Sequence, residues 1–180
     1  GGDRDGNPYV TAEITKQVAD ELRLTLMKCY YNELKGLRKK LTFKGMQEDL
    51  NELSSKLYNA MFDVNAPISY QDIVAYLTAI KEKLEADYHE LYLDELNQLI
   101  DKVHIFKTHF ATLDIRQDHS KHLLVVESVL KKEGIIKESV DELKENELVK
   151  LLLDKKFELN PKDFEDDIVK DTIVNIKNLK

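Results

Sequence analysis

The stretch TAEITKQVADELRLTLMKCYYNELKGLRKKL, residues 11–41, decides the fold class. Its apolar residues recur at spacings of three and four, which is the period of a helix that buries one face. These positions are Ile14, Val18, Leu22, Leu26, Tyr30, Leu34, Leu37 and Leu41. Thr11 provides an N-cap hydroxyl at the start, and Arg38-Lys39-Lys40 complements the helix dipole at the end. The stretch therefore predicts one long amphipathic helix.

The same period runs through most of the remaining chain and predicts further helices. Their apolar positions fall in 46–61, 73–84, 91–106, 123–130, 143–152 and 164–179. Capping boxes at Ser69–Asp72 and Ser139–Glu142 predict two helix starts, and Gly134 is expected just after the end of another helix. With only six Gly and three Pro in 180 residues, the chain favours a few long elements over many short strands.

The segment HFATLDIR, residues 109–116, departs from this period, because its side chains alternate by twos. Ala111, Leu113 and Ile115 would face one way, and Thr112, Asp114 and Arg116 the other. The alternation predicts a strand, but no other segment offers an obvious partner for its backbone groups. We therefore expect a mainly α fold, a helical bundle with one or two short strands. The unpartnered strand also indicates a piece of a larger sheet or barrel.

Charge and composition argue against several classes of function. A net charge of −7 disfavours general nucleic-acid binding, which requires a basic face to neutralise phosphates. No apolar run approaches the length of a membrane span, so we expect no membrane partner. Cys29 is the single cysteine, which excludes an internal disulfide and fits the reducing cytoplasm. Cys29 itself is expected to be a small, buried apolar residue.

A charged turn, GGDRDGNP at residues 1–8, precedes the long helix. Its acidic spacing imitates the start of an EF-hand loop, but Pro8 stands where that loop needs Gly, and Ile14 where it needs Glu. The turn also lacks the Gly-Lys-Ser/Thr of a P-loop. What remains is a glycine turn that presents Asp3 and Arg4 beside a helix N-terminus. From residue chemistry alone, an ordinary loop with a surface Asp–Arg pair is favoured.

A second charged segment, LDIRQD at residues 113–118, closes the expected strand. Arg116 falls at the carboxyl end of that strand, where α/β barrels place their active-site residues. The planar guanidinium of arginine can bind a phosphate or a carboxylate through two hydrogen bonds. A structural ion pair between Asp114 and Arg116 explains the same residues equally well.

Taken together, the two segments resemble two signature motifs of phosphoenolpyruvate carboxylase, in the order in which that family carries them. Residues 1–15 resemble its GGDRDGNPNVT segment, which runs into a long helix, and residues 113–122 resemble its LDIRQES…RH segment. Asp118 stands where the family often has Glu, and His119 where Ser is common. The family's TAHPTE-like, FHGRGG and GYSDS-type segments are missing. The resemblance therefore implies that residues 1–180 are a single internal fragment of a larger α/β barrel enzyme, and that the fragment is inactive alone.

The resemblance implies a carbon–carbon lyase that converts phosphoenolpyruvate and bicarbonate to oxaloacetate and phosphate. Mg²⁺ or Mn²⁺ would be held by ligands outside this chain, and the further partners would be the rest of the parent chain and other copies of the enzyme. By position, Arg116 matches the family arginine that grips the substrate phosphate. Arg4 and Asp3 match the loop that lines the active site, where they would orient other groups. Asp114 and Gln117 are further candidates for substrate binding.

Two alternatives remain beside this interpretation. His119 and His122 are spaced three apart and could share a helix face, as metal ligands do, but no third ligand with suitable spacing accompanies them. An exposed or capping role is therefore expected for both. The competing function is a non-catalytic helical module, in which the motifs are inherited and the helices bind a partner.

Overall fold

The computed structural model describes residues 2–5, 7, 9–63, 65 and 67–179. These residues form seven α-helices, which confirms the mainly helical class: α1 (Ala12–Lys40), α2 (Gln47–Ala60), α3 (Tyr70–Asp87), α4 (Leu93–Phe106), α5 (His119–Lys132), α6 (Glu145–Asp154) and α7 (Asp167–Asn178). Two short 3₁₀ helices occupy Val140–Glu142 and Pro161–Asp163. Of the opening motif, Gly1, Gly6 and Pro8 lie outside the described residues. Within the described part, no helix is both long and apolar enough to cross a membrane.

The chain divides into two compact units. The first, Val18–Thr112, contains the greater part of α1 together with α2, α3 and α4, and we call it the helical unit. The second takes the residues up to Gln17 and those from Leu113 onward, and we call it the motif unit because it carries both charged segments. The motif unit also contains α5, α6 and α7.

The helical unit is built on the apolar faces that the periodicity predicts. Tyr30, Leu34 and Leu41 of the long stretch are almost fully buried, together with leucines and isoleucines of α2, α3 and α4. Each such leucine stabilises the fold by roughly 1.5–3 kcal/mol through burial. The predicted capping box starts α3: the Ser69 hydroxyl accepts from the Asp72 N–H at 3.0 Å, and the Asp72 carboxylate accepts from the Ser69 N–H at 3.3 Å.

Cys29 is exposed, so the prediction that it is a buried residue is wrong. Met27 and Tyr30 define the buried side of α1 around this position. Successive residues of a helix are rotated by roughly 100°, so Cys29 lies roughly 200° from Met27 and faces away from the core. Its small apolar character does not decide its burial, because the larger side chains on either side set the orientation of the helix.

The motif unit is held by two small apolar clusters. Val125 and Val129 of α5 pack with Val169 and Ile173 of α7, and a second cluster contains Leu130, Ile136 and Val140. Helix α5 ends as the sequence predicts, because Gly134 adopts a positive φ of 68°. The N–H of Gly134 donates to Lys131 at 3.0 Å and that of Ile135 to Leu130 at 2.9 Å, the two hydrogen bonds of a Schellman motif.

The capping box at Ser139–Glu142 is present, but it caps the N-terminus of the 3₁₀ helix Val140–Glu142 and does not start an α-helix. Leu143 is extended, with φ −107° and ψ 143°, and α6 begins only at Glu145. The Glu142 carboxylate instead collects several backbone donors, accepting from the N–H groups of Lys137 at 3.0 Å, Glu138 at 2.5 Å and Ser139 at 3.1 Å. The capping box therefore stabilises the turn that precedes the 3₁₀ helix.

Acidification is expected to weaken this turn. The backbone N–H groups of Glu138, Lys137 and Ser139 hold the pKa of the Glu142 carboxyl below its ordinary value of 4.5. Such a group contributes its full stabilisation above its unfolded-state pKa and loses it as the pH falls through the lower folded-state pKa. A carboxyl-carbon NMR titration of the 180-residue chain should give Glu142 a midpoint below 4.5. A midpoint at or above that value would contradict these contacts, and Glu142→Gln should remove this part of the acid sensitivity.

The strand predicted near 109–116 is not formed. His109 and Phe110 belong to a turn after α4, in which both N–H groups donate to Phe106, at 3.3 and 3.1 Å. Within the described residues, the remaining segment makes one isolated parallel bridge, between Asp3 and Arg116. The physical reason is the missing neighbour: alternation alone cannot stabilise a strand whose backbone groups have no adjacent strand to pair with.

Candidate functional site

The two charged segments meet through their backbones. The Arg4 N–H donates to the Arg116 carbonyl at 2.9 Å, and the Arg116 N–H donates to the Gly2 carbonyl at 2.8 Å. We call this contact, between residues 2–4 and 114–117, the motif junction. It joins parts of the chain that are more than 100 positions apart, and it lies wholly within the motif unit.

Gly2 allows this close approach. A Cβ added at Gly2 would overlap the carbonyl oxygen of Asp114 and would lie 3.2 Å from the carbonyl carbon. Both atoms belong to the backbone, so no side-chain rotation could relieve the overlap. The second glycine of the opening motif is therefore required by the contact between the two segments.

Arg4 is buried, with 4% of its surface exposed. Its Nε donates to Oε1 of Gln117 at 2.7 Å, and its Nη2 forms an ion pair with Oδ2 of Asp171 on α7. The remaining amino group, Nη1, is buried and has no hydrogen-bond partner among the described residues. A surface pair with an aspartate of its own loop is therefore the wrong interpretation for Arg4, since its partner comes from a different element.

Asp171 and Thr172 complete this hydrogen-bond network. The second oxygen of Asp171, Oδ1, accepts from the backbone N–H of Ala12, the first residue of α1, at 2.8 Å. Thr172 is almost fully buried, and its hydroxyl accepts from Nε2 of Gln117 at 3.0 Å. The side chains of Arg4, Asp171, Thr172 and Gln117 thus link both motifs to α7.

Sequence reasoning did not identify Asp171 or Thr172 as site residues. The available signal is weak: Thr172 lies beside Ile173 on the buried face of an amphipathic helix, where a polar residue needs a hydrogen-bond partner. The identity of that partner is not encoded locally, because Arg4 lies 167 positions from Asp171.

Arg116 is exposed, and its guanidinium makes no hydrogen bond or ion pair with any residue that the structure describes. The ion pair with Asp114, one of the two interpretations of this segment, is therefore not formed. Asp3 and Asp114 are also exposed, without side-chain partners in the described part of the chain. The structure thus brings the backbones of these residues together and leaves the Arg116 side chain exposed.

A cavity of about 460 Å³ lies beside the junction in the motif unit. Its polar lining includes Arg4, Asn7, Thr11, Gln117, Lys121 and Asp171. Acidic and basic side chains both contribute, so the cavity has no strong excess of positive charge.

Nearby, hydrogen bonds from Ser120 hold the pKa of the Asp118 carboxyl below its ordinary value, and this ionised side chain caps α5.

The described residues do not provide a metal site. They contain no group of three or more His, Cys, Asp or Glu side chains placed to hold an ion. His119 is 96% exposed at the start of α5, and His122 is exposed on the same helix, so the two are surface residues. A divalent cation therefore does not fit the side chains described here, and we derive no chemical step through one.

Comparison with known proteins supports the resemblance carried by the two motifs. The sequence profile of the phosphoenolpyruvate carboxylase family matches residues 1–69 and 63–177. The chain is 28% identical over 150 residues to the phosphoenolpyruvate carboxylase of Aeromonas hydrophila, covering 68% of this chain and 17% of that protein. For the enzyme of Shewanella sediminis the identity is 29% over 160 residues, covering 70% and 18%. For that of Rhodothermus marinus it is 28% over 177 residues, covering 75% and 19%. The chain thus spans less than a fifth of the length of these relatives.

Proposed function

The chain belongs to the phosphoenolpyruvate carboxylase family, and on that premise we propose that it is an internal part of an enzyme that carboxylates phosphoenolpyruvate. The products would be oxaloacetate and phosphate, formed from phosphoenolpyruvate and bicarbonate. The 180-residue chain alone would be inactive, because it lacks the histidine and glycine-rich segments of the family. The proposal is supported by the family match and by the meeting of the two motifs at one junction.

The reaction places a clear physical demand on the protein. The phosphoryl group of phosphoenolpyruvate moves to an oxygen of bicarbonate, which leaves an enolate and carboxyphosphate. Carboxyphosphate releases carbon dioxide and phosphate, and the enolate carbon bonds to the carbon dioxide. Fixed positive charge must therefore surround a highly anionic substrate and a migrating phosphoryl group.

Arg116 is the residue that we propose for gripping the substrate phosphate. The observation that carries this role is that its guanidinium is exposed and has no partner among the described residues, although its backbone is held on both sides by the junction. An exposed planar cation on a backbone held by hydrogen bonds is suited to binding a phosphate through two hydrogen bonds.

Arg4 would act less directly. Its Nε and Nη2 already bond to Gln117 and Asp171, so Arg4 would orient the loop and would offer Nη1 to a ligand. Gln117 would hold Arg4 in place, since its amide oxygen accepts from Arg4 and its amide nitrogen donates to Thr172. Asp3 and Asp114 flank the junction and would contact the substrate or the groups that bind it.

The complete enzyme would supply what this chain does not. We propose that the remaining polypeptide forms the rest of an α/β barrel and carries the ligands for Mg²⁺ or Mn²⁺, whose charge would offset that of the reacting phosphoryl group. The enzyme would be a cytoplasmic homo-oligomer. The second candidate function is a non-catalytic helical module, in which the motifs are inherited and the helices bind a partner.

The test is an assay of the complete polypeptide that contains this chain. Oxaloacetate formation, coupled to NADH oxidation by malate dehydrogenase, should require both phosphoenolpyruvate and bicarbonate and should release phosphate in equal amount. The 180-residue chain should give no product under the same conditions. A complete polypeptide that is folded but forms no oxaloacetate would overturn the proposal in favour of the non-catalytic module.

A further inference from the structure

We propose that Asp171 is a positioning residue for the carboxylation site: its carboxylate holds Arg4 and the start of α1 in place, and thereby supports the backbone that presents Arg116. This inference rests on the proposed function, because it assigns a role in the same reaction. Asp171 lies on α7, outside both signature motifs.

The first step of the argument is the use of both carboxylate oxygens. Oδ2 pairs with Nη2 of Arg4, and Oδ1 accepts from the N–H of Ala12 at 2.8 Å. One side chain therefore connects the opening motif to the helix that follows it. Its negative charge at the N-terminus of α1 is also favourable for the dipole of that helix.

The second step concerns the charge on Arg4. A buried guanidinium needs an opposite charge nearby, and removal of that charge leaves a strongly unfavourable group in the interior. Of the described side chains, only Asp171 forms an ion pair with Arg4. Without it, Arg4 would be expected to move toward water, and the Arg4 backbone would move with it.

The third step links Arg4 to Arg116. The Arg4 N–H donates to the Arg116 carbonyl, and Arg4 Nε donates to the side chain of Gln117, the residue that follows Arg116. Displacement of Arg4 would remove both contacts from the segment that carries Arg116. Asp171 would thus affect substrate binding without touching the substrate.

The experiment compares Asp171→Asn with the wild-type complete enzyme. Asn has the same shape but lacks the charge, so kcat/KM for phosphoenolpyruvate should fall about tenfold or more while the KM for bicarbonate stays within about twofold. Hydrogen exchange should show less protection at the amides of Ala12 and Arg116, in the same preparation. In an Arg4→Met background, Asp171→Asn should cause little further loss, because the interaction is already absent.

A matched control is Asp163→Asn, which removes an ion pair with Lys132 in the same unit without touching either motif. Its kcat/KM and its exchange at Arg116 should match those of the wild type. Unchanged exchange at Ala12 and Arg116 in Asp171→Asn would overturn the inference, whether or not the enzyme is active. If the activity lost in Asp171→Asn equals the fraction of that variant that is unfolded at the assay temperature, the inference is also overturned. An inactive wild type would instead count against the proposed function alone.

Discussion

Replacement of Arg116 by Ala in the complete enzyme is expected to lower kcat/KM for phosphoenolpyruvate by roughly 100- to 1,000-fold. The guanidinium has no partner within the described chain, so its removal leaves no protein group unpaired and should not unfold the motif unit. The backbone contacts of Arg116 with Gly2 and Arg4 do not need the side chain and should persist. Steady-state kinetics and a thermal melt measure the two effects separately.

Two further variants make this result specific. Arg116→Lys keeps the positive charge but loses the planar arrangement of two donors, so its activity should fall between those of the wild type and Arg116→Ala. Arg38→Ala removes another arginine, one that bonds to Ser54 in the helical unit, and should leave kcat/KM unchanged. Near wild-type kinetics in Arg116→Ala would show that another group binds the phosphate.

Replacement of Gly2 by Ala is expected to open the motif junction. The added methyl group would overlap the Asp114 carbonyl, and overpacking together with two weakened hydrogen bonds should destabilise the junction by about 2–4 kcal/mol. Hydrogen exchange at the Arg116 amide measures this local opening directly, because that N–H donates to Gly2 at 2.8 Å. The carboxylase activity of the complete enzyme should fall in parallel.

Gly36→Ala is the matched control, since it makes the same chemical change within α1. Apart from its chain neighbours and the backbone of its own helix, no described atom lies within 4 Å of a Cβ added at Gly36, so Ala should fit there. Its better helix propensity should stabilise the helix by about 0.5–1 kcal/mol, with exchange at Arg116 unchanged. Equal protection of Arg116 in Gly2→Ala and the wild type would contradict the proposed need for glycine at the junction.

Helix positions could be predicted from this sequence because the signals for a helix are local. The three-to-four spacing of apolar residues and the capping side chains act within one or two turns, and the structure confirms α1, the Ser69 cap of α3 and the Gly134 end of α5. Local signals failed where the outcome depended on neighbours. The Ser139–Glu142 box closed a short turn, and Cys29 faced outward because larger residues set the orientation of its helix.

The candidate site was likewise predictable from the sequence only in part. The two motifs and Arg116 could be found from sequence because their residue types and order match a family pattern. The pairing of Arg4 with Asp171 could not be predicted, because the two residues are 167 positions apart and the local sequence around each does not indicate its partner. The alternation in 109–116 misled for the same reason: a strand depends on a neighbouring segment, and among the described residues this segment forms only the bridge between Arg116 and Asp3.

The sequence by itself thus determined the helical class, several helix ends and the family of this protein. All three depend on residue patterns within short stretches: helix periodicity and capping for the class and the helix ends, and the two charged motifs for the family. Only the tertiary structure decided that the two motifs meet, that Arg4 is buried against α7 and that the Arg116 side chain is exposed. These features arise from packing and hydrogen bonding between distant segments, which become defined only when the chain is folded.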